Sequence, residues 1–167
     1  IISYSDLHLE FGTNLQPTAD TDADVMILAG DIITFKDFMP LDWFLRGWEK
    51  PVLYVTGNHE YYTHRPMREG DAAFKQWLAE RHPNVTLLQD EAISIGGVHF
   101  FGGSMWTDFS GANPLAMATA QQQMNDYRCI MTAPGRLLRP EDTVRLHAEF
   151  TEKLLAWFDA DLPGPRI

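Results

Sequence analysis

The chain has 167 residues, of which 45% are hydrophobic and 22% are charged, and this composition is typical of a globular protein. The length is enough for one domain with a substantial hydrophobic core, and we expect a single domain over residues 1–167. The formal net charge of −10 argues against a nucleic-acid partner, because phosphate backbones are bound largely through Lys and Arg. No stretch of the sequence approaches the ~18 uninterrupted apolar residues of a membrane span.

Cys129 is the only cysteine, so an internal disulfide is excluded and a reducing compartment, the cytoplasm, is expected. Nothing near it in the sequence would activate its thiol. We therefore interpret Cys129 as a small, half-buried hydrophobic residue rather than a catalytic nucleophile.

Apolar runs alternate with loops and a helical pattern through the first sixty residues. The runs predict strands at 1–5, 24–29 and 52–56, and continuous apolar runs are typical of parallel strands that are buried on both faces. Residues 37–48 are predicted to form a helix between the second and third strands. This alternation predicts βαβ units and an α/β fold.

The remainder of the chain predicts three more helices, a short strand, a hairpin and the start of a further strand. Asp71 and Asn113 are predicted N-caps, and Gly96-Gly97 predicts the hairpin turn. The predicted helices cover 71–81, 114–124 and 141–158, and the predicted strands cover 85–88, 92–95, 98–101 and the segment that begins at 166–167. The apolar face of the last helix is predicted to contain Val144, Ala148, Leu155 and Phe158.

Polar side chains follow each of the first three predicted strands. Asp6 and His8 follow the first strand and share a face, Asp31 follows the second, and Asn58 follows the third. The carboxyl ends of parallel strands meet at one edge of a sheet, so these side chains are expected to lie together. Carboxylate, imidazole and amide ligands suit Mn, Fe or Zn, and a bridging carboxylate would allow two metal ions, the usual arrangement for phosphoester hydrolysis.

His59 comes directly after Asn58. An imidazole that lies beside the metals without binding them could protonate the departing alkoxide, because histidine titrates near neutral pH. Glu60 either orients His59 or is simply solvated, and the sequence leaves both interpretations open.

Three segments, Asp6-Leu7-His8, Gly30-Asp31 and Gly57-Asn58-His59-Glu60, resemble in order, spacing and strand context the first three signatures of the calcineurin-like metallophosphoesterases. The resemblance implies a four-layer α/β fold in which helices flank a two-sheet β-sandwich. It also implies a hydrolase that acts on phosphoester bonds through two transition-metal ions.

The same resemblance implies a role for each residue. Asp6 and His8 would hold the first metal, Asp31 would bridge the two metals, and Asn58 would hold the second. His59 would be the general acid that protonates the leaving group.

The family completes its site with a later histidine and a Gly-His-x-His segment, and neither is found in this chain. We therefore expect the fold to be incomplete at the C-terminus and the chain to be the N-terminal portion of a longer polypeptide, inactive without the remainder. The other histidines are interpreted as surface, helix-end or strand residues: His64, His82, His99 and His147.

Two residues are candidates for substrate binding. Trp106 could line the pocket or belong to the core, and Arg128 could bind a phosphate through its forked donors or simply end a helix.

We expect a small phosphoester substrate, such as a nucleotide. A protein serine/threonine phosphatase is an alternative, weakened because no arginine closely follows Asp31; a non-catalytic scaffold on the same fold is another. The sequence gives no oligomeric state.

Overall fold

The structure is a computed structural model that describes residues 1–12, 15–18 and 22–167. In these residues the chain forms one parallel sheet and two antiparallel sheets, with helices packed around them, so the predicted α/β class is confirmed. The four parallel strands are hydrogen-bonded in chain order: β1 (Ile2–Tyr4), β2 (Met26–Ala29), β3 (Val52–Val55) and β4 (Val85–Leu87).

Two hairpins make up the antiparallel sheets. β5 (Glu91–Ile95) pairs with β6 (Val98–Gly102), and β7 (Met131–Ala133) pairs with β8 (Arg136–Leu137). The helices are α1 (Met39–Phe44), α2 (Met67–Arg81), α3 (Phe109–Ala112), α4 (Pro114–Gln123), α5 (Asp126–Cys129) and α6 (Pro140–Asp159). None of the helices in the described ranges combines the length and the hydropathy that a transmembrane segment needs.

Local sequence signals located several of these elements correctly. The turn between β5 and β6 is formed by Gly96 and Gly97, with φ of 58° and 80°, as the paired glycines predict. Asn113 caps α4, because its side chain accepts hydrogen bonds from the backbone of Leu115 and Ala116. Ile167 is hydrogen-bonded to the backbone of β6, so the predicted start of a strand at 166–167 is confirmed.

Two helix boundaries were predicted wrongly. The helix α2 begins at Met67, directly after Pro66, and Asp71 lies inside it rather than at its N-cap. The side chain of Asp71 accepts a hydrogen bond from the Tyr61 hydroxyl at 2.9 Å instead. The helix α1 ends at Phe44 rather than at residue 48, because the chain turns through Gly47, where φ is 84°.

The apolar face of α6 was also predicted wrongly in part. Leu155 and Phe158 are 58% and 53% exposed, whereas Phe150 and Trp157 are buried. The ring of Phe101 on β6 lies 5.7 Å from both buried rings. The position of β6 therefore determines which face of α6 is buried, and the spacing of apolar residues along the helix does not by itself specify that face.

The parallel sheet separates two hydrophobic cores, because successive side chains of a strand point to opposite faces. The larger core lies between one face of the sheet and the helices α1 and α2, and the sheet contributes Met26, Leu28, Val52 and Tyr54 to it. The smaller core lies between the other face and the β5–β6 hairpin, with Val25, Leu53, Leu88 and Phe100 as its buried members.

We predict that replacing Phe74 by Ala will lower the free energy of unfolding by about 3–5 kcal/mol. Phe74 is fully buried, and its ring contacts Phe35, Phe38, Tyr54 and Trp77. Urea unfolding followed by circular dichroism measures the change. The exposed neighbour Lys75, replaced by Ala, is the matched control and should change stability by no more than about 0.5 kcal/mol. A loss below about 1 kcal/mol for the Phe74 variant would contradict the central position of this ring.

Candidate metal centre

Three loops meet at the carboxyl edge of the parallel sheet, and backbone hydrogen bonds join them. After β1, the N–H of Asp6 donates to the carbonyl of Gly30, and the N–H of His8 donates to the carbonyl of Asp31, both at 3.0 Å. After β3, the N–H of His59 donates to Oδ1 of Asp31 at 3.1 Å. The loop after β2 is therefore hydrogen-bonded to the loop after β1 and to the loop after β3, and Asp31 accepts a hydrogen bond from each of them.

His8, Asp31 and His59 form a group that could hold a metal ion. Each offers one ligand atom, and among the described residues these atoms all lie within 4.8 Å of one another. The two imidazole rings are edge-on, with centroids 4.4 Å apart. Asp6, predicted as a ligand, is exposed and does not belong to this group. The structure therefore places a ring nitrogen of His59 within 4.8 Å of the ligand atoms of His8 and Asp31, although the family resemblance implies that His59 is a general acid and not a ligand.

The backbone is strained at three of the predicted ligands. Asp6, His8 and Asp31 have φ of 54°, 46° and 55°, in the left-handed region. A side chain in that region costs ~1–2 kcal/mol, least for Asp. Strain of this kind is retained where the surrounding structure enforces it, and it clusters at functional sites.

Two glycines permit the close approach of the loops after β2 and β3. A Cβ atom at Gly57 would lie 2.0 Å from Oδ1 of Asp31, so any larger residue would displace this carboxylate. Gly30 has φ of 85°, and a Cβ there would lie 3.0 Å from the backbone nitrogen of Gly57. Both glycines of the sequence signatures are therefore required for steric reasons.

Glu60 is fully buried and joins the same two loops. Its Oε2 accepts hydrogen bonds from the backbone N–H groups of Asp31 and Gly57, at 3.1 and 2.8 Å. Its Oε1 accepts from the N–H of Ile32 and the hydroxyl of Tyr54, at 2.9 and 2.7 Å. Burial raises the pKa of the Glu60 carboxyl, and the hydrogen bonds from Tyr54 and Ile32 oppose that rise. Glu60 is thus not solvated; it positions the loops.

Glu10 faces both imidazoles, although it is not among the site residues predicted from the sequence. Its Oε1 lies 3.6 Å from Nδ1 of His8 and 3.9 Å from Nδ1 of His59. Among the described residues, neither oxygen of Glu10 nor Nδ1 of His8 has a hydrogen-bond partner, although all three atoms are buried. Burying polar atoms without hydrogen-bond partners costs free energy. A cation bound to these two oxygens and this nitrogen would offset that cost. The spacing Asp6-x-His8-x-Glu10 is the one signal that could have identified Glu10.

Asn58 takes part in a second polar cluster. Its Nδ2 donates to Oδ1 of Asp126 at 2.8 Å and to the hydroxyl of Tyr62 at 3.2 Å, and that hydroxyl donates to the same Oδ1 at 2.5 Å. Burial, followed by the hydrogen bond to Asp126, raises the pKa of Tyr62. Tyr62 also stacks on His59, with ring centroids 4.4 Å apart.

A cavity of about 380 Å³ adjoins this edge of the sheet. Glu10, Phe11, Lys36, His59 and Tyr62 contribute to its walls. Its volume is within the lower range for small-molecule sites. His59, a member of the possible metal group, and Glu10, which lies beside its imidazoles, therefore also line a space in which a small ligand could bind.

The two candidate substrate residues lie elsewhere. Trp106 packs against the larger core and lines a separate cavity of about 370 Å³ beside Tyr61 and Asp71. Arg128 is exposed and donates to the carbonyl of Gln122. Within the described ranges, no hydrogen bond joins either side chain to a predicted metal ligand.

The chain is similar to part of a viral protein. The chain is 26% identical over 110 residues to the uncharacterized protein L509 of Acanthamoeba polyphaga mimivirus, an alignment that covers 62% of this chain and 38% of the viral protein. The chain thus spans well under half the length of that relative. No family model matches the sequence.

We predict that replacing Glu60 by Gln will destabilise the fold by at least about 2 kcal/mol. In either orientation the NH2 group of the new amide would face at least one backbone N–H that now donates to Glu60, from Ile32 or from Asp31 and Gly57, and each unsatisfied group costs about 1–3 kcal/mol. Denaturant unfolding measures the loss, and the exposed Glu152, replaced by Gln, is the control. Equal stability of the two variants would show that these hydrogen bonds contribute little.

Proposed function

We propose that this protein is a metal-dependent phosphoesterase of the calcineurin-like type, which hydrolyses a small phosphomonoester or phosphodiester. The observation that carries the proposal is the group formed by His8, Asp31 and His59 at the carboxyl edge of the parallel sheet, with strained backbone at two of its members. The resemblance of the three loop segments to that family supports the same function.

The packing of the sheets supports the corresponding fold. The β5–β6 hairpin covers the face of the parallel sheet opposite α1 and α2, through the smaller core. Ile167 extends this hairpin, because its N–H donates to the carbonyl of His99 and its carbonyl accepts from the N–H of Phe101. We infer that the hairpin and this segment belong to the second sheet of a four-layer sandwich.

The donor atoms of the site fit a divalent transition metal. Asp6, His8, Asp31 and Asn58 would hold two Mn, Fe or Zn ions, since carboxylate, imidazole and amide groups suit these metals. The unpartnered Nδ1 of His8 supports this assignment. When bound, two such ions bind phosphate oxygens, activate a water molecule and offset charge on the attacking and leaving oxygens.

His59 would supply the proton to the leaving oxygen. Its ring is positioned by Tyr62, which stacks on one face, and Glu10 lies 3.9 Å from its Nδ1. Because His59 lines the 380 Å³ cavity, a leaving group in that cavity would be within its reach.

The cavity favours a small substrate. Lys36 and Phe11 are exposed at its walls, and no hydrogen bond or ion pair to the Lys36 ammonium is found in the described part of the chain. Lys36 could therefore bind an anionic group, and the ring of Phe11 could stack on a planar one. A nucleotide carries both an anionic phosphate and a planar base, which supports a nucleotide substrate over a phosphoprotein.

We predict that the protein, prepared in the longest form its gene encodes, will hydrolyse a generic aryl phosphomonoester or diester with Mn²⁺. Chelation should abolish the activity, and replacing Asp31 by Asn should lower kcat by at least about 100-fold because the central carboxylate is lost. The exposed Asp161, replaced by Asn, is the control and should retain wild-type rates. No turnover of either ester with any transition metal would refute the proposal, and so would turnover that the Asp31 substitution leaves unchanged. Purified protein without bound transition metal would favour the scaffold alternative.

We predict that replacing Lys36 by Ala will raise KM for a nucleotide roughly five- to tenfold while kcat stays nearly constant. An exposed cation contributes about 1 kcal/mol to binding an anion, and it does so equally in the ground and transition states. The exposed Lys75, replaced by Ala, is the charge-matched control. An unchanged KM would place the anionic group of the substrate elsewhere.

A further inference from the structure

We propose that Asp126 is a positioning residue for the metal centre: it orients the side-chain amide of Asn58 so that the carbonyl oxygen Oδ1 is available to a cation. The inference rests on the proposed function, in which Asn58 is a metal ligand. It assigns a role to a residue that lies 68 positions away from Asn58 in the sequence.

The hydrogen bonds of the cluster leave the amide one orientation. The two donors of Nδ2 are directed at Oδ1 of Asp126 and at the hydroxyl oxygen of Tyr62. The hydroxyl can accept from Asn58 because its own proton is donated to Asp126, at 2.5 Å. Each group in this ring of three therefore has a partner of the correct kind.

The reversed orientation of the amide is unfavourable. It would place the carbonyl oxygen of Asn58 against the carboxylate of Asp126, two acceptors facing each other without a proton between them. Nothing in the described ranges donates a hydrogen bond to Oδ1 of Asn58 in the orientation observed. The oxygen that the family resemblance assigns to a metal is thus the one that the protein leaves without a partner.

The position of Asp126 is itself well determined by packing. Asp126 is 4% exposed at the start of α5, and the next turn of the chain is anchored by Tyr127 and Ile130, which are buried in the larger core. Tyr62, the other member of the ring, stacks on His59. Replacing a residue that hydrogen-bonds to a metal ligand and orients it typically lowers metal affinity by 10–100-fold.

The test compares Mn²⁺ affinity among variants by competition with a chromogenic chelator. Asp126→Leu, which removes the acceptor at similar volume, should weaken binding at least about tenfold, as should Asn58→Ala. The double variant should be no weaker than Asn58→Ala, since both substitutions remove the same ligand. Asp126→Asn keeps an acceptor oxygen and should restore affinity to within about threefold of wild type.

A matched control separates positioning from a general loss of stability. Asp142 is a buried carboxylate that accepts hydrogen bonds from Arg136 and from the backbone of Arg139 at the start of α6. Asp142→Leu should lower the melting temperature without changing Mn²⁺ affinity. If Asp126→Leu does not fold, Tyr62→Phe remains informative and should weaken binding by a smaller, measurable factor of about two to five.

A second measurement needs no metal. In the ¹⁵N spectrum of the metal-free protein, the Asn58 side-chain amide should exchange with solvent slowly, and this protection should be lost in Asp126→Leu and kept in Asp126→Asn. Wild-type affinity in a folded Asp126→Leu variant, additive losses in the double variant, or an equal loss in Asp142→Leu would overturn the inference. Wild-type protein that binds no Mn²⁺ would instead refute the proposed function, and the exchange rates would still report on the orientation of Asn58.

Discussion

The carboxylate of Glu60 joins the ends of two neighbouring strands, and the geometry of the site depends on it. Its oxygens accept from the backbone of Asp31, Ile32 and Gly57, so the loops after β2 and β3 are held at one separation. A neutral residue of the same size could not accept all of these bonds, because every partner is a donor. The burial of this charge is unfavourable by itself and is offset by four hydrogen bonds.

The hydrogen bonds to Glu60 also explain why the site tolerates strained backbone and neighbouring carboxylates. Asp31 keeps a left-handed backbone because its N–H is bonded to Glu60 and its side chain occupies the space that a Cβ at Gly57 would fill. Glu10 adds a further carboxylate beside the imidazoles of His8 and His59. Strained backbone and neighbouring carboxylates both cost free energy, and a bound cation would offset part of that cost; this is the physical reason for proposing a metal site at this edge.

Elements with strong local signals were predictable, and elements whose limits depend on packing were not. The turn at Gly96 and Gly97 requires positive φ, and Asn113 offers an oxygen to the first turn of α4, so both follow from sequence. Asp71 resembles an N-cap equally well, but Tyr61 bonds to it from another part of the chain. The exposed Leu155 and Phe158 show that periodicity identifies a helix without identifying which face is covered.

The candidate metal ligands could be identified from sequence because each directly follows an apolar run, and parallel strands bring such residues to one edge. The residues that hydrogen-bond to them could not be identified from sequence. Glu60 bonds to Asp31 across 29 positions, and Asp126 bonds to Asn58 across 68. No local pattern specifies such pairs; they arise when strands align and helices pack. The chemistry of the donor atoms was thus evident in the chain, whereas their orientation, and the approach of His59 to His8 and Asp31, came from tertiary structure.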